Sequence, residues 1–170
     1  MKMIGCKWEY KTPEGFDDMV MVSDGEVLTG LYFQKSGDEN KFGGECEEKF
    51  VECFEKVINW LDVYFSGNQP NFELKYKIDN MTPFRKKVFE IMKTIPYGQT
   101  ISYGDIAREI AKQSGVKRMS AQAVGGAVGW NPICIVIPCH RVVGAHGEMT
   151  GYGGGLKNKI KLLQLEKVNL

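Results

Sequence analysis

Long apolar runs are missing from this chain, and its first residues, "MKMIGCKWEY", lack the apolar core of a secretory leader. Both absences point away from a membrane or secretory route. Paired thiols are missing too. The five cysteines (6, 46, 53, 134, 139) are odd in number and include no CxxC, which argues for free thiols in a reducing compartment. Histidine is scarce: His140 and His146 are the two in the chain, too few for a Cys/His zinc site of usual spacing. A net excess of charge is also lacking, at +1, but the charge is divided. Residues 1–78 carry nine Lys and Arg against fifteen Asp and Glu, and residues 79–170 thirteen against six. The second half is therefore the one suited to a polyanion.

What is present is an ordinary globular composition, 43% hydrophobic and 25% charged, in 170 residues that suit one large domain or two small ones. The first third alternates as strands do, in "GCKWEYKT", "DDMVMVSD" and "EVLTGLYFQ", with Asp24-Gly25 as a hairpin signal between the last two. "KSGDENKFGGE" reads as a loop. Residues 46–65 place Phe50, Phe54, Val57, Ile58, Leu61 and Phe65 at helical spacing, and "NFELKYKID" reads as a short strand or extended linker. Cys46 and Cys53 then fall seven apart on one helix, where packing explains them.

Beyond a boundary near residues 76–81 the pattern turns helical. Thr82 as N-cap and Pro83 open a helix with Phe84, Val88, Ile91 and Met92 on one face. Ser102 and Asp105 form an approximate capping box for the next, and Ser120 opens a third after the basic loop "GVKRM". This order is compatible with a helix-turn-helix. In the third helix Gly125, Gly126 and Gly129 each cost about 1 kcal/mol relative to alanine. Either a neighbouring helix packs tightly there, or a bare face enters a nucleic-acid groove. A last helix, "LKNKIKLLQLEK", turns Leu156, Ile160, Leu163 and Leu165 inward.

"IVIPCHRVVG" reads as a buried strand that stops at Pro138 to present Cys139, His140 and Arg141. A thiol in apolar surroundings resists ionisation, so a reactive Cys139 needs a base. His140 is adjacent, but neighbours on a strand face opposite ways, and the chain must turn at Cys139 for the two to cooperate. The histidine in turn needs an acceptor, and the acids downstream are Glu148 and Glu166. On spacing alone Cys139 is as readily an inert residue as a nucleophile, and Cys134 reads as packing.

"NPICIVIPCHRVVGAHGEMTGYGGG" resembles the active-site signature of the O6-alkylguanine-DNA alkyltransferases, with Asn-Pro, Pro-Cys-His-Arg and Gly-Tyr-x-Gly-Gly in order between Thr82 and Glu166. The resemblance implies an α+β (α/β) fold: a ribonuclease-H-like sheet-plus-helix domain over 1–78, then a mostly helical domain over 79–170 holding the helix-turn-helix and the cysteine loop. It implies irreversible, single-use transfer of an alkyl group from guanine O6, and thymine O4, in double-stranded DNA to Cys139. His140 would act as base through an ordered water, Glu166 would polarise His140, and Asn131 would brace the loop. Tyr103 would contact phosphate and protonate the departing guanine. Ser102, Ala121, Gln122, Ala123, Gly125 and Arg85 are expected at the DNA. Val142, Tyr152, Gly153 and Gly154, with the main chain of Cys139, are expected at the base, and Arg141 within the loop. The glycine-rich helix would enter the minor groove, its small residues Ala121, Ala123, Gly125 and Gly126 allowing close approach as the damaged base flips out. No cofactor or membrane is implied. A monomer in the cytoplasm, at the nucleoid in a prokaryote, is expected.

Two positions depart from the family's pattern. Gln122 stands where an arginine usually replaces the flipped base, and Gly153 stands where some members have serine. Glutamine lacks the charge and planar stacking of arginine, so weaker duplex binding is expected. Three alternatives remain at this level: a turning-over cysteine hydrolase built on Cys139, His140 and Glu166, a silent damage binder, and a transcription-factor-like module.

Overall fold

Cys6, Trp8 and Tyr10 face inward from β1 (Gly5–Tyr10), while Lys7 and Glu9 face solvent. The same period of two places Met19 and Met21 of β2 (Met19–Ser23) in the core. β3 (Leu28–Phe33) adds Leu28, Leu31 and Phe33. The computed structural model describes residues 4–41 and 45–170. Its first three strands form an antiparallel meander, and Gly25, with φ of +104°, makes the expected turn between β2 and β3. Residues 37–41 of the polar stretch form a 3-10 turn, while 42–44, like the opening residues 1–3, lie outside the described residues.

The helix expected over 46–65 begins later. Cys46–Glu48 is β4, paired parallel with Gly5–Lys7 on the free edge of β1, and gives the mixed sheet order β3-β2-β1-β4. Main-chain pairing has overridden the helical pattern there, with Gly5 N donating to Glu45 O at 3.1 Å. α1 (Glu52–Phe65) then covers the sheet with Phe54, Val57, Leu61 and Tyr64. Cys46 and Cys53 thus sit on different elements, and Phe50 is exposed, its ring edge against Trp8. Residues 71–79 run extended and touch β3 through a single bridge, Tyr76 to Leu28.

α2 (Pro83–Met92) starts at Thr82, whose hydroxyl accepts from Arg85 N. Phe89 joins Val88 and Met92 in its buried face, while Phe84 and Ile91 are half-buried. β5 (Ile101–Ser102) leads into α3 (Tyr103–Ser114), whose Ser102–Asp105 capping box is complete and whose C-terminus closes on Gly115 at φ +68°. α4 (Ala121–Gly129) packs on α2 and α3. β6 (Val142–Val143) pairs parallel with β5, and α5 (Leu156–Leu165) closes the fold.

Two further expectations are corrected. Residues 134–137 are a turn rather than a strand, because Ile135 takes a left-handed conformation at φ +69°. Only Ile133 keeps a bridge, to Leu31 of β3. In α5 the buried face is Asn158, Lys159, Leu162 and Leu163, with Leu156 exposed and Ile160 and Leu165 half-buried. The helix is rotated because its two polar residues satisfy buried carbonyls of the site. One apolar cluster, from Cys6 and Phe54 through Val88 and Ile137 to Leu162, runs through both halves. Among the described residues no helix is long and apolar enough to cross a membrane.

Candidate active site

The turn that carries Cys139 is laced by one buried amide. Asn131 Nδ2 donates to Ile137 O at 2.9 Å and Ile133 O at 3.3 Å, and its Oδ1 accepts from Ile133 N at 3.0 Å. The same turn docks on the edge of the N-terminal sheet, where Leu31 N donates to Pro132 O and Cys134 N to Leu31 O. After Pro138 the chain makes a 3-10 turn over Cys139–Arg141. That turn is the departure from extended backbone that a Cys-His pair requires.

Glu166, the residue after α5, lies beneath this turn and is surrounded by donors. His140 Nε2 is 2.6 Å from Oε2, and Tyr64 Oη donates to the same oxygen at 2.6 Å. Arg141 Nε donates to Oε1 at 2.9 Å and Nη2 to Oε2 at 3.3 Å, while Gly98 N donates to Oε1 at 3.0 Å. Burial alone would push this carboxyl up, but the hydrogen bonds and charges of His140 and Arg141 prevail and hold it at about 2. Arg141 also donates to Ile95 O at 2.9 Å, so it ties the loop internally.

Burial pushes the His140 imidazole below its ordinary value, and the bond and charge of Glu166 offset only part of this. At neutral pH the ring is uncharged. An ionised Glu166 accepting from Nε2 assigns the ring proton there and leaves a lone pair on buried Nδ1, which has no hydrogen-bond partner among the described residues. Cys139 itself is 5% exposed. A hydrogen bond from Cys134 holds its thiol below the ordinary value against the opposing effect of burial, with help from Asn131 and Lys41. The thiol faces a cavity of about 40 Å³ whose walls include Tyr103, Gly125, Asn131, Tyr152 and Gly153, together with Asp38 and Lys41 from the N-terminal half.

The remaining sequence candidates divide by place. Val142 is buried behind the turn, and Gly154 O accepts from Asn158 Nδ2 at 2.7 Å, which ties the glycine loop to α5. Ala121, Gln122, Ala123 and Gly126 lie along the accessible side of α4, all four exposed. Ser102 is spent on its cap. Arg85 lies away from the thiol, its guanidinium 3.9 Å from the Trp130 ring centre and one nitrogen on Asn80 O. Sequence reasoning missed Tyr64, Gly98, Asp38, Lys41 and Lys159. Lys159 is fully buried, donates to Val142 O at 2.7 Å, and has its pKa lowered by burial. A polar pair interrupting the apolar face of the last helix was its one available signal. Among the described residues no group of three His, Cys, Asp or Glu is placed to hold a metal ion.

Residues 83–168 match the family model described as "6-O-methylguanine DNA methyltransferase, DNA binding domain". The chain belongs to the 6-O-methylguanine DNA methyltransferase family. A methylated-DNA–protein-cysteine methyltransferase of Mycolicibacterium paratuberculosis is 45% identical over 160 residues, covering 94% of this chain and 92% of the relative. The crystal structure of the Mycobacterium tuberculosis O6-methylguanine methyltransferase superposes with a TM-score of 0.77 at 35% identity, over 96% of this chain and 93% of that one. That of M. tuberculosis OGT in complex with DNA gives 0.74 at 35% identity, over 96% and 92%. The region matched to the methyltransferase family holds Cys139, His140, Glu166, Asn131 and Tyr103, whereas Tyr64, Asp38 and Lys41 lie outside it.

Proposed function

We propose that this protein repairs DNA by direct reversal of damage, with Cys139 as the group that takes the alkyl carbon from guanine O6 and thymine O4. The relatives' activity, named for transfer from methylated DNA to a protein cysteine, and the DNA complex of a 35% identical neighbour support this reaction class. One observation carries the assignment to Cys139: the thiol is followed directly by a buried, uncharged His140 whose Nε2 is held 2.6 Å from ionised Glu166. His140 Nδ1 is then the base. It takes the thiol proton through an ordered water, and Glu166 stabilises the imidazolium that results. The thiolate attacks the alkyl carbon, the carbon–O6 bond breaks, and Tyr103 supplies a proton to the departing guanine. The thioether cannot be undone by any group here, so each molecule acts once.

α3, the basic loop and α4 serve as the helix-turn-helix of an acceptor unit spanning 79–170, beside a ribonuclease-H-like unit over 1–78. α4 enters the minor groove, Gln122 fills the space of the flipped base, and the main chain of Cys139, Val142, Tyr152, Gly153 and Gly154 receives it. Ser102, Ala121, Ala123 and Gly125 flank the strand, and Arg85 braces α4 through Trp130. A cavity of about 40 Å³ is near the volume of one water. Seating a base therefore requires the glycine loop and residues 37–41 to part. The protein acts as a monomer in the compartment that holds the DNA, at the nucleoid in a prokaryote.

Incubation with duplex DNA containing O6-methylguanine, followed by intact-protein mass spectrometry, tests the reading. A gain of one methylene mapped to Cys139, absent in Cys139→Ser, is expected. An unchanged mass refutes it, and turnover without a covalent adduct assigns a cysteine hydrolase instead.

A further inference from the structure

A second thiol stands beside the first. Cys134 is 1% exposed, at the first corner of the turn laced by Asn131. Its main-chain N–H is committed to Leu31 O, so its side chain is its one adjustable donor. That side chain donates from Sγ to Asp38 Oδ2 at 3.4 Å, and Asp38 in turn walls the cavity that the Cys139 thiol faces. Asp38 is 2% exposed and paired with Lys41, whose Nζ lies 2.7 Å from Oδ1. The same Nζ donates to Gly129 O at 2.7 Å and Asn131 O at 3.0 Å, at the end of α4. A polar string thus runs from Cys134 through Asp38 and Lys41 along the wall of the acceptor's cavity, separate from His140 and Glu166. A cysteine that merely filled apolar space would have no use for a buried carboxylate against it, because burying that charge is costly without a partner.

We propose that Cys134 is a positioning residue for alkyl transfer: its S–H rests on Asp38, turns to the Cys139 sulfur as that group loses its proton, and keeps the thiolate aimed into the cavity shared with Tyr103 and Gly153. Cys134 keeps its own proton throughout. The proton of Cys139 leaves by His140, the new bond is made at Cys139 alone, and the S–H of Cys134 returns to Asp38 once Cys139 has become a weakly accepting thioether. The charged and titratable groups that face the pair are Asp38 and Lys41 from residues 37–41, Tyr152 from the glycine loop and Lys159 from α5, with His140 next in the chain. The inference rests on Cys139 being the acceptor.

The test compares the intact protein with Cys134→Ala, Cys134→Ser and Asp38→Asn. Iodoacetamide labelling of Cys139, located by peptide mapping, is followed against pH, alongside single-turnover transfer from an O6-methylguanine duplex and the urea midpoint. Cys134→Ala is expected to move the labelling midpoint upward by about one pH unit, with transfer slowed about tenfold below it. Cys134→Ser, which keeps a donor, restores most of both. Asp38→Asn moves the midpoint downward, since the carboxylate opposes the thiolate. An unchanged midpoint in Cys134→Ala with an unchanged urea midpoint overturns the inference, as does a serine variant indistinguishable from alanine. If Cys134→Ala fails to fold, Asp38→Asn decides: no downward shift overturns it. Shifted labelling in a protein that transfers no methyl group overturns the proposed function and leaves the hold of Cys134 on the thiol standing.

Discussion

Glu166 is a buried anion neutralised by an arc of donors, and each donor has a different weight. Glu166→Gln removes the charge that Arg141 and His140 are built around and leaves a guanidinium unpaired. Breaking such a buried pair costs about 3–5 kcal/mol, to be read from urea unfolding. Tyr64→Phe removes one hydrogen bond to the same carboxylate and is expected to cost about 1–3 kcal/mol while slowing transfer less than Glu166→Gln. Gly153→Ser has a steric outcome: a Cβ at 153 overlaps the Asp38 carboxylate. The serine variant therefore displaces Asp38 or loses stability, and pairing it with Asp38→Ala is expected to recover the loss in thermal unfolding. Cys139, His140 and Glu166 were legible because the signature is contiguous and one acid follows on the last helix. Tyr64 was not, because it lies 76 residues from His140 on an amphipathic helix where a tyrosine reads as core. Asp38 and Lys41 sit in a polar stretch whose charges looked solvated.

At the scale of elements, α4 is the segment whose composition packing does not explain. A Cβ at Gly126 or Gly129 would meet nothing within 4 Å, and one at Gly125 would make an ordinary 3.8 Å contact with Tyr103. The tight helix-helix contact that glycine usually signals is therefore absent at these positions. Gly126→Ala is expected to raise stability by about 0.5–1 kcal/mol in urea unfolding and yet weaken duplex binding in a fluorescence titration. Equal affinity would remove the case for close groove approach. Capped helices were the most legible elements, since Thr82, Ser102 and Ser120 mark their starts. The elements misjudged were those decided by distant partners. Cys46–Glu48 follows the edge of β1, and residues 134–137 follow Asn131 and Leu31.

For the whole molecule, acid is the direction of weakness. Glu166 is at about 2 in the folded protein against an ordinary 4.5, so the unfolded chain binds more protons between those values. Its contribution is complete above the ordinary carboxylate range and is lost as pH falls towards about 2. His140 is likewise depressed, from 6.5, so its contribution is present above that value and declines below it. The urea midpoint is therefore expected to fall on acidification from neutrality, beginning in the histidine range, and to fall less steeply in Glu166→Gln. The division of charge between residues 1–78 and 79–170 makes the second half the one suited to the DNA polyanion. Gln122→Arg is expected to tighten duplex binding and steepen its salt dependence by about one counterion. Glu166 has one more consequence, which concerns time. Of the groups that meet at the site it is the last to be synthesised, after Tyr64, Gly98, Cys139, His140 and Arg141. A chain still emerging from the ribosome carries the thiol without the carboxylate that orients its base. His140 gains its oriented, carboxylate-backed form only when α5 has docked, so assistance by that base comes last in the assembly of the site.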